Sequence, residues 1–332
     1  MRSTYIHIFP CLLLACIALS CQQSVDDMSL AVSRCQDMPK ALTACASFCY
    51  DGKGYILCGR DSSGRYTNKL YCYDPVTDCW TDLGSTPLKP RVRARAVVVD
   101  DYVYAGLGFN GYLLIDSAYL SDWWRFSTST NTWTRMADYP CDRTVGPVVT
   151  SDGTNIYAAY GGKQNFERWV FQYEPTADRW HQIHDGLKRG ATYPPRAHSA
   201  AGAFCGGQFF IGTGYYKGSD SFWTHAELSA DSVIWHKCTP VPGKRHNATA
   251  THDDRYIYLA GGHYYGGTVT NGKLYNDILR YDTGTDRWVR LGYMPNDGRE
   301  NMVSWIIGNV LYIGLGSDKD NKPCKELYKI AL

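Results

Sequence analysis

The chain has 332 residues, 44% hydrophobic and 20% charged, which is enough apolar side chain for a sizeable core and excludes a disordered chain. A formal net charge of +2 gives no field that would favour nucleic acid or an anionic membrane surface. Twenty-six Tyr, 10 Trp and 32 Gly point to many short strands and tight turns, not to long helices.

At the N-terminus, "MRSTYIHIFPCLLLACIALSC" has an early Arg2, an apolar run from Ile8 to Leu19, and then Ser20 and Cys21. Residues 1–20 are expected to be a secretory signal, too short to remain as a membrane span. The ending "IALSC" resembles a bacterial lipobox, which implies lipidation at Cys21, with "LLLAC" offering Cys16 as the rival site. Residues 21–29, with "QQSVDD", are expected to be an acidic tether. They are similar to the surface-export signal of Bacteroidota lipoproteins, although a solvated linker explains Asp26 and Asp27 as well. The expected location is the bacterial outer membrane, on its periplasmic or cell-surface side, with membrane attachment only through the lipid.

Ten cysteines remain in the mature body, in a compartment where disulfides persist. No Cys/His spacing is that of a zinc site, so neither metal nor cofactor is expected. Cys72 and Cys79 flank a tight turn and are either a disulfide across a hairpin or two small buried residues.

From residue 55 onward two signatures recur. An aromatic stands four residues before a Gly in Tyr55/Gly59, Tyr104/Gly108, Tyr157/Gly161, Phe210/Gly214, Tyr258/Gly262 and Tyr312/Gly316, with successive glycines 48–54 residues apart. Each apolar strand turns at that Gly, where a Cβ would clash or φ is positive. After each of the first five come two strands joined by a short hairpin, with a Trp seven residues beyond its partner: Tyr73/Trp80, Phe126/Trp133, Tyr173/Trp180, Leu228/Trp235 and Tyr281/Trp288.

The combination "YLAGG", then "ILRYDTGTDRW", then Pro and Arg, resembles the kelch repeat, and the resemblance spans residues 30–332. It implies an all-β, six-bladed kelch β-propeller, whose Gly-x-Gly variants are similar to kelch-like lipoproteins of Bacteroidota. The last unit stops at Leu332 without a Trp strand, so "SLAVSRCQDMP" is expected to supply that strand and close the ring. Cys35 and Cys324 then fall on neighbouring strands and are a candidate disulfide.

The second-to-third-strand loops vary most and mark the working face. Tyr112, Tyr215, Tyr216, Tyr264 and Tyr265 stand there, suited to sugar rings or a protein surface, or merely filling gaps between loops. The blade crossings place Arg91, Arg143, Arg196, Arg245 and Arg299 around the channel mouth. In the kelch pattern such an Arg braces blades; a ring of them would favour an anion. His198, His246, Asn247 and Glu300 are the remaining polar candidates. His181 and His184 point to opposite faces of a strand and read as surface residues.

The kelch resemblance implies a non-catalytic binding or scaffold module for an envelope protein or glycan, monomeric and without nucleic acid. The alternative is a sugar isomerase, because the N-acetylneuraminate epimerase family is also a six-bladed exported propeller. In that family a Glu just beyond one second-strand Gly pairs with an Arg. Those positions here hold Arg60, Phe109, Lys163, Tyr215, His263 and Ser317, so the nearest substitutes are Glu300 with Arg299 and Glu167 with Arg168. The copper constellation of galactose oxidase has no counterpart.

Overall fold

The computed structural model describes residues 25–111, 116–141, 144, 146–161, 169–184, 194–229, 232–265 and 272–332. The signal segment with Cys16 and Cys21, and also Tyr112, Arg143, Lys163, Glu167 and Arg168, lie outside the described residues.

Six antiparallel sheets follow one another along the chain as the blades of a propeller. Their innermost strands are Ala46–Tyr50, Arg95–Val99, Val148–Ser151, Ala201–Cys205, Thr249–His252 and Val303–Ile307. Each packs on the next and the last packs on the first, so the ring is closed around a channel. Among the described residues, one apolar cluster fills each gap between neighbouring blades, because a four-stranded sheet has two faces to cover.

The ring closes as the sequence predicts. Ser33–Arg34 pairs antiparallel with Leu327–Ala331 of the sixth blade, Ser33 opposite Lys329 and Arg34 opposite Tyr328. One segment differs from expectation: Asp26–Asp27, read as tether, adds in parallel to Arg287–Tyr293, the outer strand of the fifth blade. The Met28 and Leu30 amides continue the contact, donating to the Arg290 and Leu291 carbonyls.

All six signature glycines have positive φ, from 74° to 115°, and so does the residue before each. A Cβ on Gly108 would lie 2.5 Å from the Val92 carbonyl, and one on Gly316 would lie 2.6 Å from that of Glu300. Glycine is therefore required twice over, by torsion and by the crossing segment passing over it.

The Trp spacing has a similarly concrete cause. Tyr73, Tyr173 and Tyr281 sit directly opposite Trp80, Trp180 and Trp288, with ring centroids 4.9–5.0 Å apart. Each Tyr hydroxyl donates to an Asp in the same hairpin (Asp78, Asp178, Asp286), and that Asp accepts an amide from the segment leaving the preceding blade (Gln36, Ala137, Thr239). Each Trp Nε1 donates to the carbonyl of that same residue. The hairpin is thus a clip that fastens one blade to the one before it. The fourth blade departs from the expected pairing: Trp235 opposes Ala226, and Leu228 opposes Val233.

Neither candidate disulfide is present, and all ten cysteines from Cys35 onward are thiols. Along the closing strand, Cys35 donates its amide to Leu327 and Met38 donates to Lys325, so Cys35 is out of step with Cys324. Cys72 opposes Thr81 while Cys79 opposes Asp74; Cys72 is buried and Cys79 is exposed. Peptide mapping of the folded, unreduced protein after alkylation should recover Cys35, Cys324, Cys72 and Cys79 as alkylated thiols. A Cys35–Cys324 cross-linked peptide would contradict this register.

Candidate functional site

Two residues before each innermost strand the chain makes the same left-handed step. It falls at Ala44, Arg93, Gly146, Ser199, Asn247 and Asn301, with φ between 54° and 58°. Five of these are joined in a row around the axis by four backbone hydrogen bonds: Arg93 N to Ala44 O, Ala44 N to Asn301 O, Asn301 N to Asn247 O, and Asn247 N to Ser199 O, at 2.7–3.2 Å. This belt fixes the rim of the channel, and its side chains line the cavity.

Among the described residues, the residue before a belt position pairs with the residue after a signature glycine, as in His198 with Tyr215, His246 with His263 and Glu300 with Ser317. Two residues before the belt the side chain enters the blade interior, and there the expected ring of arginines is corrected. Arg245 is fully buried and makes a two-pronged salt bridge with Asp277 at 2.6 and 2.9 Å. Arg91 does the same with Asp122, and Arg299 pairs with Glu326 through one contact at 2.7 Å. These cations are braces, already neutralised, and are not available to a ligand at the mouth. Arg196 is half-buried and stands one residue earlier, with Ala197 at the interior position.

The cations that do face the channel are Arg93 and Arg95. Arg93 Nη1 donates to Ser199 Oγ at 2.6 Å, and Arg95 Nε donates to the Pro147 carbonyl at 2.6 Å. Among the described residues neither makes a salt bridge. Burial draws Arg93 below its ordinary pKa, partly offset by the Glu300 carboxylate. Burial and then the neighbouring Arg93 charge push Arg95 down to about 10. Both lie beside Gly146, where a Cβ would sit 3.5 Å from each guanidinium. A charged residue on an innermost strand was the available signal, since Ala, Ser, Gly, Val and Thr hold most of the other lining positions.

Above this pair is a recess of about 250 Å³ lined by Arg93, His198, Ser199, Tyr215, His246, Asn247, His263 and Tyr265. The structure therefore brings together His198, His246, Asn247, Tyr215 and Tyr265 of the expected set, and adds His263, which was not among the polar candidates. Tyr216 and Tyr264 lie outside the lining, with Tyr264 on the short strand His263–Tyr264. Tyr215 is ringed by His198 at 5.4 Å, His246 at 5.2 Å and Tyr265 at 6.2 Å. Glu300 accepts from Asn247 Nδ2 at 2.7 Å and lies 3.7 Å from His263 Nδ1.

Burial, and then the Arg93 charge, hold His198 down to about 4, so its imidazole is neutral at physiological pH. Its ring-proton NMR resonance should titrate with a midpoint near pH 4 instead of near 6.5. Because its folded pKa is depressed, its contribution to stability is complete above pH 6.5 and is lost as pH falls toward 4. A midpoint at 6 or above would mean that the rim is open to water.

The kelch motif is matched at residues 41–87, 90–138 and 244–295, which are the first, second and fifth blades. The chain is a six-bladed propeller with kelch motifs. It is 26% identical to Kelch-like protein 35 of Mus musculus over 260 residues, covering 77% of this chain and 40% of that protein. It is 31% identical to Kelch-like protein terF of Aspergillus terreus over 152 residues, 43% of this chain and 33% of that protein. This kelch propeller thus spans well under half the length of those two relatives. With N-acetylneuraminate epimerase 1 of Escherichia coli it shares 24% identity over 337 residues, covering 83% of this chain and 85% of the epimerase. Among solved structures, that of YjhT superposes with a TM-score of 0.72 at 17% identity, over 90% of this chain and 97% of that one. The propeller of YjhT therefore shares this fold.

Proposed function

We propose that this propeller is an exported, lipid-anchored binding module that holds an acidic sugar or glycan end group at the mouth of its channel. The observation that carries the reading is the pair Arg93 and Arg95, two half-buried cations in the channel with no carboxylate bonded to either among the described residues. Desolvated charge of one sign is costly to keep, and an anion that fills the recess relieves that cost. Each guanidinium has five N–H donors and so retains several for a ligand. Tyr215 and Tyr265 supply aromatic faces for a sugar ring, and Asn247 and Ser199 supply hydrogen-bonding groups. Export, anchoring and an envelope location are supported by the sequence of residues 1–21, which resembles a lipoprotein signal.

Saturation-transfer NMR with N-acetylneuraminate and with neutral hexoses tests the reading. Signal from the acidic sugar that is competed by excess simple carboxylate supports it. Equal signal from neutral hexoses, or none from any sugar, removes the acidic-ligand reading and leaves protein docking to be sought by pull-down from solubilised envelopes.

A second reading, sugar mutarotation, is favoured by Glu300, a carboxylate 19% exposed at the same rim, and by the end-to-end similarity to the epimerase. Glu300 would move the proton and Arg93 would clamp the acid group, since Arg299 is committed to Glu326. Anomer exchange accelerated by the protein and abolished in Glu300→Gln would establish it; exchange at the uncatalysed rate would exclude it.

A further inference from the structure

Three side chains with metal-binding atoms converge on the rim from separate parts of the chain: His246, His263 and Glu300. One donor atom from each lies within 4.8 Å of the other two, and His263 Nδ1 is 3.7 Å from Glu300 Oε2. The convergence is built by the backbone. His246 and His263 pair across a bridge with rings 5.2 Å apart, and Glu300 occupies the same station in the next blade. In a tetrahedral zinc site with bonds of about 2.0–2.2 Å, donor atoms stand roughly 3.3–3.6 Å apart, so closure needs only small side-chain rotations.

Two of the three are also held from behind. Ser219 Oγ lies 2.9 Å from His246 Nδ1 and reaches the His263 carbonyl at 3.3 Å. With Nδ1–H donating to Ser219, the Nε2 lone pair of His246 is the one left for a ligand. Asn247 Nδ2 fixes one Glu300 oxygen at 2.7 Å. Such outer hydrogen bonds, which set the tautomer and orientation of first ligands, are a mark of metal sites.

We propose that His246, His263 and Glu300 form a site for one borderline divalent transition-metal ion, zinc fitting best, with a fourth position open to the recess. Two imidazoles and a carboxylate suit zinc over magnesium or calcium, which take mainly oxygen. Arg93 opposes a cation here and Glu300 offsets it. Together the metal and Arg93 leave a net positive rim, so the open position would accept an anionic oxygen. The inference concerns the recess of the glycan reading but does not depend on it, because metal uptake is measured with no sugar present.

A second group, His225, Glu227 and His236, lies on the outer strands of the fourth blade. Its imidazoles are stacked nearly parallel at 4.7 Å, His225 Nδ1 is 3.4 Å from Cys238 Sγ, and Glu227 is 58% exposed. It serves as the internal control.

The full chain, stripped with a chelator, is titrated with Zn²⁺ against a chromophoric competitor, and with Co²⁺ followed by visible absorption. One tight equivalent is expected, with a cobalt spectrum of low coordination number. His246→Ala, His263→Ala and Glu300→Gln should each weaken zinc by about 100-fold or more. Ser219→Ala should weaken it by about 10–100-fold. His225→Ala with His236→Ala should change nothing, and thermal unfolding of each variant confirms its fold. Failure of the folded wild type to take up zinc or cobalt, or uptake that survives the loss of both His246 and His263, would overturn the site. Acidic-sugar binding that persists after chelation would leave the glycan reading standing without it.

Discussion

Arg245→Ala is expected to remove about 3–5 kcal/mol of stability, the usual cost of deleting one partner of a buried ion pair. The side chain has no solvent exposure, and its Nη1 also donates to the Gly261 carbonyl at 3.0 Å. Its guanidinium lies 3.8 Å over the Tyr275 ring. Alanine would leave Asp277, only 8% exposed, as an uncompensated buried carboxylate beside a cavity. Urea unfolding checks this through a lower midpoint at unchanged slope. Asp277→Asn in the same background should recover part of the loss, since the stranded charge is then gone. A loss below about 1 kcal/mol would mean that water enters the blade and that the brace is structurally minor. In the equivalent pair of the second blade, burial raises the Asp122 pKa, but hydrogen bonding and charge from Arg91 more than reverse it.

The second large effect is on binding. Arg93→Ala is expected to weaken an acidic sugar by about 2–3 kcal/mol, roughly 30- to 150-fold, in the range found when one member of a buried charge pair is truncated. Arg95 lies deeper along the same wall, so Arg95→Ala should give a comparable loss if the acid group reaches between the two, and little if it stays at the rim. Calorimetric titration distinguishes these outcomes. Neither variant should lower stability by more than a few tenths of a kcal/mol, because each removes an unpaired cation from a crowded channel. This separates their role from that of Arg245. Unchanged affinity in both Arg93→Ala and Arg95→Ala would remove the arginine pair from the proposed binding site.

The blades were legible because their signals are local. A Trp seven residues from its partner and a Gly four residues from an aromatic both lie within one hairpin or one strand, where chain periodicity reports side-chain direction. The rim was only partly legible because periodicity breaks there. In an extended chain Arg91, Arg93 and Arg95 would share one face. The left-handed step at Arg93 breaks that alternation, so Arg91 enters the blade while Arg93 and Arg95 line the channel. Glu300 and His263 are 37 residues apart and belong to different blades, so their approach is set by blade-to-blade register. The cysteines were misplaced for a related reason. Cys35 and Cys324 do lie along neighbouring strands, but a shift of a few residues in register separates two sulfurs completely.

The belt at the channel rim separates two kinds of information. Its hydrogen bonds are made by main-chain atoms, and its positions already hold Ala, Arg, Gly, Ser and two Asn in the same left-handed conformation. Chemical identity at these six stations is therefore written on a frame that does not read it. Under the proposed binding function, ligand preference can be rewritten there one letter at a time while the blades, their braces and their clips stay as they are.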